Sequence, residues 1–544
     1  MTLQQSIAAI AVDSNKIKDP SLRSIVEQLL NIIEEQSTVI NILKKDNQKL
    51  RDENNSLKGE QGKPNIRPQK GKKDISSEKE RKARKNKKKK SKNKKDKIKI
   101  DRTVECAVDQ SELPADAVFK GYQSVFVQDI IIQTDNIEFK KEVYYSPSAQ
   151  KTFIAPLPDG YHGEFGPNIK AFIVSLHSCS KMTEPAIVEF LSTHGIRISA
   201  ATVSRIITDN HEQFHQEKAD IVQAGLASTI YQQMDDTGAR VGGKNCYTHI
   251  LCNDEYTAYF TRPRKDRLTI LEILSQKELT FLFNESSYSL MEQMKLPSKI
   301  LERLRSKKLK NLMSQKEVGS LLKKLFPDPK KHHTNRQIIL EASAIMSYQQ
   351  LPYAISLLLT DDAPQFKQIT ELLALCWIHD GRHYKKLEPV ISLHKKQLKT
   401  FLRKYWKYYR KLLAYKKSPT KASAKVLSKE FKVLFSTKTS YNALNDRISK
   451  TKLKQDSLLM VLKYPQIPLH NNASELGARV QARYRDISFQ TKNKKGTEAK
   501  DTFMTIVSTA KKLGVNAFHY IQDRISKSFE MPALSDLVAS HNSS

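Results

Sequence analysis

At 544 residues the chain is too long for one compact core, so three or four domains joined by linkers are expected. Hydrophobic residues account for 39% and charged residues for 28%, the balance of a soluble protein with long polar segments. No run of about 18 uncharged apolar residues occurs, and the N-terminal MTLQQSIAAIAVDSNKIKD has no basic start, apolar middle or small-residue cleavage site. Neither a membrane span nor a signal peptide is expected, and a cytoplasmic protein is.

The net charge is +34, with 92 Lys/Arg against 58 Asp/Glu, which favours a polyanionic partner, nucleic acid first. Residues 81–99 hold 13 Lys/Arg and one Asp, and without them the chain still carries +22. The folded part is therefore basic in its own right. Cys106, Cys179, Cys246, Cys252 and Cys376 form no C-x-x-C pair, so neither a disulfide framework nor a cysteine zinc site is encoded. Cys246 and Cys252 read as small buried hydrophobes of one strand face.

In chain order, residues 20–58 come first as a heptad stretch. Leu22, Leu29, Leu43, Leu50 and Leu57 fall at d, Val26, Ile33, Ile40, Asn47 and Asn54 at a, and Gln36 breaks the d row. β-Branched residues at a with Leu at d favour two parallel strands, and Asn at a fixes register. A coiled coil holding a homodimer follows; the alternative is one amphipathic helix packed on the body. Residues 59–100 are Lys, Asn, Ser and Gly with few large apolar groups, a disordered basic linker. Its Lys87, Lys88, Lys89 and Lys90 would neutralise DNA phosphates without reading sequence.

Residues 101–164 form an expected small β-rich module, with strands at Ser124 to Gln133 and Glu138 to Tyr145. Residues 165–210 follow as three short helices, Asn168 to Cys179, Thr183 to His194 and Ala200 to Asp209. Gly195 occupies a turn and Ser199 the N-cap of the third. That order is a helix-turn-helix, in which Thr202 and Arg205 would face base edges.

From residue 227 to 530 the pattern is α/β. A strand at Thr229 to Asp235, a turn TGARVGGKN, and strands at Cys246 to Cys252 and Tyr256 to Thr261 make a meander, followed by a helix near Leu268. A buried strand Ile355 to Thr360, a helix from Pro364 and a short strand at Leu375 to Ile378 continue the order of an RNase H-like catalytic core. Two helical, basic insertions are expected at about 272–350 and 388–465.

Asp235 and Asp236 end one predicted strand, and Asp361 and Asp362 end another. Carboxylates leaving neighbouring strand ends can converge, and oxygen ligands suit Mg²⁺ or Mn²⁺. Two such ions serve in-line displacement at phosphorus. Glu475, in HNNASELGAR, fits a third ligand in the first turn of a helix capped by Asn472 or Ser474. Which member of each Asp pair points into the site stays open, because one residue of shift swaps the face.

These residues sit in strings that resemble the insertion sequence 66 family of bacterial transposases over roughly residues 20 to 530, the stretch at about 272–345 excepted. FGPNIKAFIVSLHSCSKMTEPAIVEFLSTHGIRISAATVSRII is similar to the family's helix-turn-helix stretch, QMDDTGARV to its D-E-T-P-V segment, LLTDDAPQF to T-D-G-Y, ALCWIHDGRHYKKL to C-W-x-H-x-R-[RK], and LHNNASELGAR to D-N-N-x-A-E-R-x-[IL]-R. The resemblance implies a DDE-class transposase that binds terminal inverted repeats and cuts and joins DNA with Asp235, Asp361 and Glu475 on two Mg²⁺ or Mn²⁺ ions. It also implies DNA contacts for His379 and Arg382; Arg479, on the Glu475 helix, is a further DNA-contact candidate beside the reading of a solvated basic face, and accessory transposition proteins are possible partners. The family's zinc-module cysteines are missing around Cys106, so no zinc is expected. Leu476 replaces the family's Arg, and Asp362 its Gly. A second reading of the same features is a catalytically inactive DNA-binding protein or repressor derived from a transposase.

Overall fold

The computed structural model describes residues 14–57, 100–109, 113, 114 and 116–540. The expected linker at 59–100, with Lys87 to Lys90, lies almost wholly outside the described residues. Helix α1 (Pro20–Leu57) spans the predicted heptads. Between residues 100 and 142 no strand forms among the described residues, which corrects the expectation for Ser124 to Gln133. Strand-forming side chains need a ladder partner, and here Val125, Val127, Ile130 and Ile131 stay largely exposed. The expected β module reduces to one hairpin, β1 (Val143–Ser146) with β2 (Lys151–Ile154), so the strand at Glu138 to Tyr145 is shorter and later than its sequence suggested.

Helices α2 (Pro167–Ser178), α3 (Glu184–Thr193) and α4 (Ala200–Thr208) close on their own core of Ile173, Ile187, Leu191, Val203 and Ile207. Thr183 and Ser199 cap α3 and α4, the latter accepting from the Thr202 N–H at 3.1 Å. The His177 ring meets the Tyr484 hydroxyl, tying this unit to a later helix.

After α5 (Glu212–Ala227) the central sheet begins with β3 (Tyr231–Val241), β4 (Lys244–Cys252) and β5 (Thr257–Arg262). β3 runs well past the predicted strand end, because the turn is only Gly242 and Gly243, at φ 53° and 78°. Two residues at positive φ match the twist of a tight hairpin, so TGARV stays in the ladder. Next come α6 (Arg267–Ser275) and a unit made of β6 (Thr280–Leu282), α7 (Glu285–Gln293), α8 (Ser298–Arg305), β7 (Leu312–Ser314), α9 (Gln315–Leu325) and α10 (His333–Gln349). This stretch, expected to be mostly helical and basic, also contains the antiparallel β6–β7 pair.

Strands β8 (Leu357–Thr360) and β9 (Leu372–Leu375) complete a mixed sheet of order β5-β4-β3-β8-β9, with β3–β8 and β8–β9 parallel. The helix expected from Pro364 is a single 3₁₀ turn, Pro364–Phe366. The strand expected at Leu375 to Ile378 ends at Leu375, and α11 (Trp377–Lys385) takes over. A helical unit follows: α12 (Ser392–Tyr415), α13 (Lys421–Leu434), α14 (Asn442–Lys452) and α15 (Gln455–Leu458). The chain closes with α16 (Asn472–Ser488), α17 (Lys494–Leu513), α18 (Ala517–Ile525) and α19 (Leu534–Ser540).

Strand alternation divides the core. Met234, Leu251, Ala258, Phe260 and Leu358 face one large cluster, whereas Tyr231, Leu357 and Leu359 face the aromatic cluster around Trp377. On that second face Ile250, Cys252 and Tyr259 pack on α16. The outer edge of β5 is covered by α17. Asp501, Thr505 and Thr509, one turn apart, accept the N–H groups of Thr261, Tyr259 and Thr257 at 2.5, 3.1 and 3.3 Å.

Candidate active site

The parallel register pairs Tyr231 with Leu357, Gln232 with Leu358 and Gln233 with Leu359. Carried two residues further, it sets Asp235 level with Asp361, on strands roughly 4.8 Å apart. Asp235 therefore does not end its strand, as the sequence suggested; it lies mid-strand, where its parallel partner ends. Both aspartates share the face of Tyr231, Leu357 and Leu359, the face that α16 covers further along the sheet. Asn471, not Asn472 or Ser474, is the N-cap of α16, and its carbonyl accepts the Glu475 N–H at 3.1 Å. Gly477 lets this helix lie close to the sheet: a Cβ there would stand 2.7 Å from the Ile250 Cγ2.

Burial, then the charges of Asp361, Asp236 and Glu475, push the Asp235 carboxyl up to about 7. The Asp236 N–H donates to Asp235 Oδ1 at 2.8 Å and opposes that rise. Asp236 points to the other face, where it accepts from Gln365 Nε2 at 2.8 Å and meets Lys265 at 3.6 Å. Asp362 is held by Lys454 at 2.5 Å and Lys367 at 3.2 Å. Burial works to raise its pKa, but the two lysines outweigh that and hold it below the usual range. Each Asp pair thus splits into one carboxyl among like charges and one with basic or amide partners.

His379 and Arg382 belong to the first turns of α11 rather than to a strand end. Arg382 Nη2 donates to Glu475 Oε2 at 3.0 Å, His379 Nε2 lies 3.6 Å from Glu475 Oε1, and Arg382 Nη1 is 2.8 Å from His379 Nε2. Burial drives the His379 pKa down, with Glu475 pulling it back. Ligand-type atoms of Cys376, His379 and Glu475 all lie within 4.8 Å of one another. Burial pushes the Cys376 thiol up to about 12, which keeps the sulfur protonated in this metal-free state. Buried like charges with oxygen donors fit a divalent cation, which would relieve the repulsion seen at Asp235.

The charges of Asp361 and Glu475 thus reach Asp235, and Glu475 meets His379 and Arg382, while among the described residues the three acids do not form one cluster of ligand atoms. Arg479 is exposed one turn after Glu475. Thr202 and Arg205 lie on α4, in the separate three-helix core, where Arg205 Nη2 donates to Thr202 Oγ1 at 3.2 Å. Sequence reasoning missed Gln365, Lys367, Lys454 and Lys265; only the register, which sorts the paired acids, identifies them.

A family model described as "Transposase IS66 family" matches residues 162–284 and 347–499. The chain belongs to that family of transposases, and its function is of the transposase type. The match leaves out 285–346, the stretch holding α7 to α9, β7 and most of α10. The chain is also 30% identical over 306 residues to the uncharacterised protein y4jO of Sinorhizobium fredii, covering 56% of this chain and 94% of that protein. Membership implies interaction with DNA. Among the described residues no helix is long and apolar enough to cross a membrane.

Proposed function

We propose that the protein is a DDE transposase with an RNase H-like core, acting in the bacterial cytoplasm at the nucleoid, which cleaves DNA at the ends of its element and joins them to a target. The observation that carries this is the parallel register that levels Asp235 with Asp361 on the sheet face also occupied by α16, which bears Glu475. The antiparallel meander, a helix, and then parallel strands with helices between them support the RNase H-like assignment.

Asp235, Asp361 and Glu475 would hold two Mg²⁺ or Mn²⁺ ions. Bound there, such ions supply activation of the attacking water or 3′-hydroxyl and stabilisation of the leaving oxygen. Arg382 orients the Glu475 carboxylate, and with His379 presents cationic and polar hydrogens to the scissile strand. Thr202 and Arg205 read terminal repeats, while Arg479 and Lys87 to Lys90 contact phosphates. Two copies pair through α1, whose Leu22, Leu29, Leu43 and Leu50 are exposed. Accessory transposition proteins would join this assembly.

The test is nicking of a plasmid carrying the element's ends, with and without Mg²⁺. Asp235→Asn, Asp361→Asn and Glu475→Gln should each abolish nicking and strand transfer while leaving DNA binding; activity in any of them removes that residue from the triad. The Arg382–Glu475 ion pair favours a second reading, an inactive DNA-binding descendant, which predicts that the wild-type chain binds the ends and never nicks.

A further inference from the structure

Helix α12 is 24 residues long and contains eight Lys/Arg and no Asp or Glu. Its inner face is aromatic and buried: Phe401, Tyr405, Tyr408, Leu412 and Tyr415 all point into the Trp377 cluster. Its outer face exposes Lys396, Lys399, Arg403, Lys407 and Arg410. Steps of three and four residues put these on one ridge, about 21 Å long at about 1.5 Å per residue.

None of the five makes an ion pair among the described residues; of the lysines and arginines on this helix only Lys411 does, with Glu430 at 2.6 Å. A solvated helix face usually interleaves signs, and like charges three or four apart destabilise it. Residues 392–463 as a whole hold 20 Lys/Arg against three Asp/Glu, so the surrounding unit offers little relief. A polyanion laid along the ridge would.

The ridge is also rigid. Tyr405 Oη donates to the Trp377 carbonyl at 2.9 Å, Trp377 Nε1 to the Leu458 carbonyl at 2.8 Å, and Tyr408 Oη to the Leu427 carbonyl at 2.8 Å. The first bond ties α12 to α11, the helix that carries His379 and Arg382, and the other two tie α11 to α15 and α12 to α13. Single strands are gripped by stacking on exposed aromatic rings. On α12 the aromatic residues turn inward, which leaves a bare row of charge suited to a duplex backbone, with about one phosphate per 3.4 Å of each strand.

We propose that the Lys396–Arg410 ridge of α12 is a sequence-independent seat for the phosphate backbone of duplex DNA, held rigidly to the helix beside the carboxylate site. The proposal rests on the DNA-processing function proposed above and names the surface that steadies the substrate.

The test compares two full-length triple variants of equal charge loss: Lys399→Ala/Arg403→Ala/Lys407→Ala on the ridge, and Lys299→Ala/Arg303→Ala/Lys307→Ala on and after α8. Binding of a duplex of arbitrary sequence is followed by fluorescence anisotropy between 50 and 200 mM KCl. The ridge variant should weaken binding at low salt roughly tenfold or more and reduce the slope of log affinity against log salt by about 2 to 3, with the α8 variant changing it by less than about 1. Equal effects of the two variants overturn the proposal. Acetylation of the wild-type protein reads the same point without substitution: duplex DNA should protect Lys396, Lys399 and Lys407, and undiminished labelling of all three overturns it. Plasmid nicking is scored separately. A wild type that never nicks but shows the ridge effect refutes catalysis and keeps the seat; one that nicks while the ridge variant binds normally refutes the seat alone.

Discussion

Arg382 and Glu475 form an ion pair at 3.0 Å, so the third candidate acid carries a counter-ion supplied by the chain itself. Removing it leaves the charges of Asp361 and Glu475 acting on Asp235 with one positive charge fewer nearby. Arg382→Ala should therefore bind Mn²⁺ about twofold to fivefold more tightly, the size expected of a partly exposed pair. It should also nick DNA more slowly, because Glu475 loses its orienting partner. Mn²⁺ titration followed by electron paramagnetic resonance checks the first point. Unchanged affinity would mean that Arg382 does not screen the site.

Asp235 makes thermal stability depend on pH in a stated direction. Its folded pKa, about 7, lies above the ordinary 3.8, so the native state keeps a proton that the unfolded chain releases between those values. Stability falls as pH rises through that window. Asp235→Asn, which never ionises, should raise the melting temperature at pH 8 and change it little at pH 4. Mg²⁺ should raise the wild-type midpoint at pH 8 more than that of the variant. A variant equally shifted at both pH values would show that ionisation is not the cause.

Gly477 fixes how closely α16 approaches β4. A methyl group added there meets Ile250 Cγ2 at 2.7 Å, inside van der Waals contact, and Thr257 and Tyr259 at 3.4 Å close the other side. Gly477→Ala should cost about 1–3 kcal/mol in overpacking. It should cut nicking about tenfold or more, since small displacements of a catalytic group are expensive in rate. Chemical denaturation and single-turnover nicking, measured together, test both; normal turnover would show that the helix is not the part that yields.

Glu34 docks α1 onto the body. Its carboxylate accepts from the N–H groups of Val390 and Ile391 at 2.8 and 2.9 Å and meets His394 Nδ1 at 3.1 Å, while Asn31 bonds Ser440 and Asn442. Burial works to raise the Glu34 pKa, but His394 and the two N–H groups together outweigh it and hold it below 4.5. The contribution is therefore present above that value and lost as pH falls through the depressed folded pKa. Glu34→Ala should speed hydrogen exchange at Val390 and Ile391 at neutral pH severalfold. In the wild type the same acceleration should appear only in acid.

The acids were legible as candidates: QMDD, LTDD and NASELG carry Asp235, Asp361 and Glu475, and the charges of the last two reach Asp235. Which Asp of each pair shares a sheet face with the other was not, because strings of sequence carry no register; pairing of Gln233 with Leu359 puts Asp235 and Asp361 on one face. TGARV looked like a turn for its glycine and polar residues, yet Gly242 and Gly243 make the reversal and Gly238 remains in the strand. The opposite error arose at SVFVQDIIIQ, where β-forming side chains have no neighbour to pair with. Heptad positions on α1 were readable, but not that Leu30, Asn31, Glu34 and Ser37, on the opposite side of the helix, bury against this same chain. Docking of that kind depends on residues 356 and 409 positions away, Val390 for Glu34 and Ser440 for Asn31.

The column of Asp501, Thr505 and Thr509 has a consequence for synthesis. β5 is emitted early, yet the groups that close its free side arrive only when residues 494–513 have left the ribosome. Until then the N–H groups of Thr257, Tyr259 and Thr261 point outward, ready to template a strand from another nascent chain. Truncation before α17 should thus yield insoluble aggregates rather than a smaller working protein.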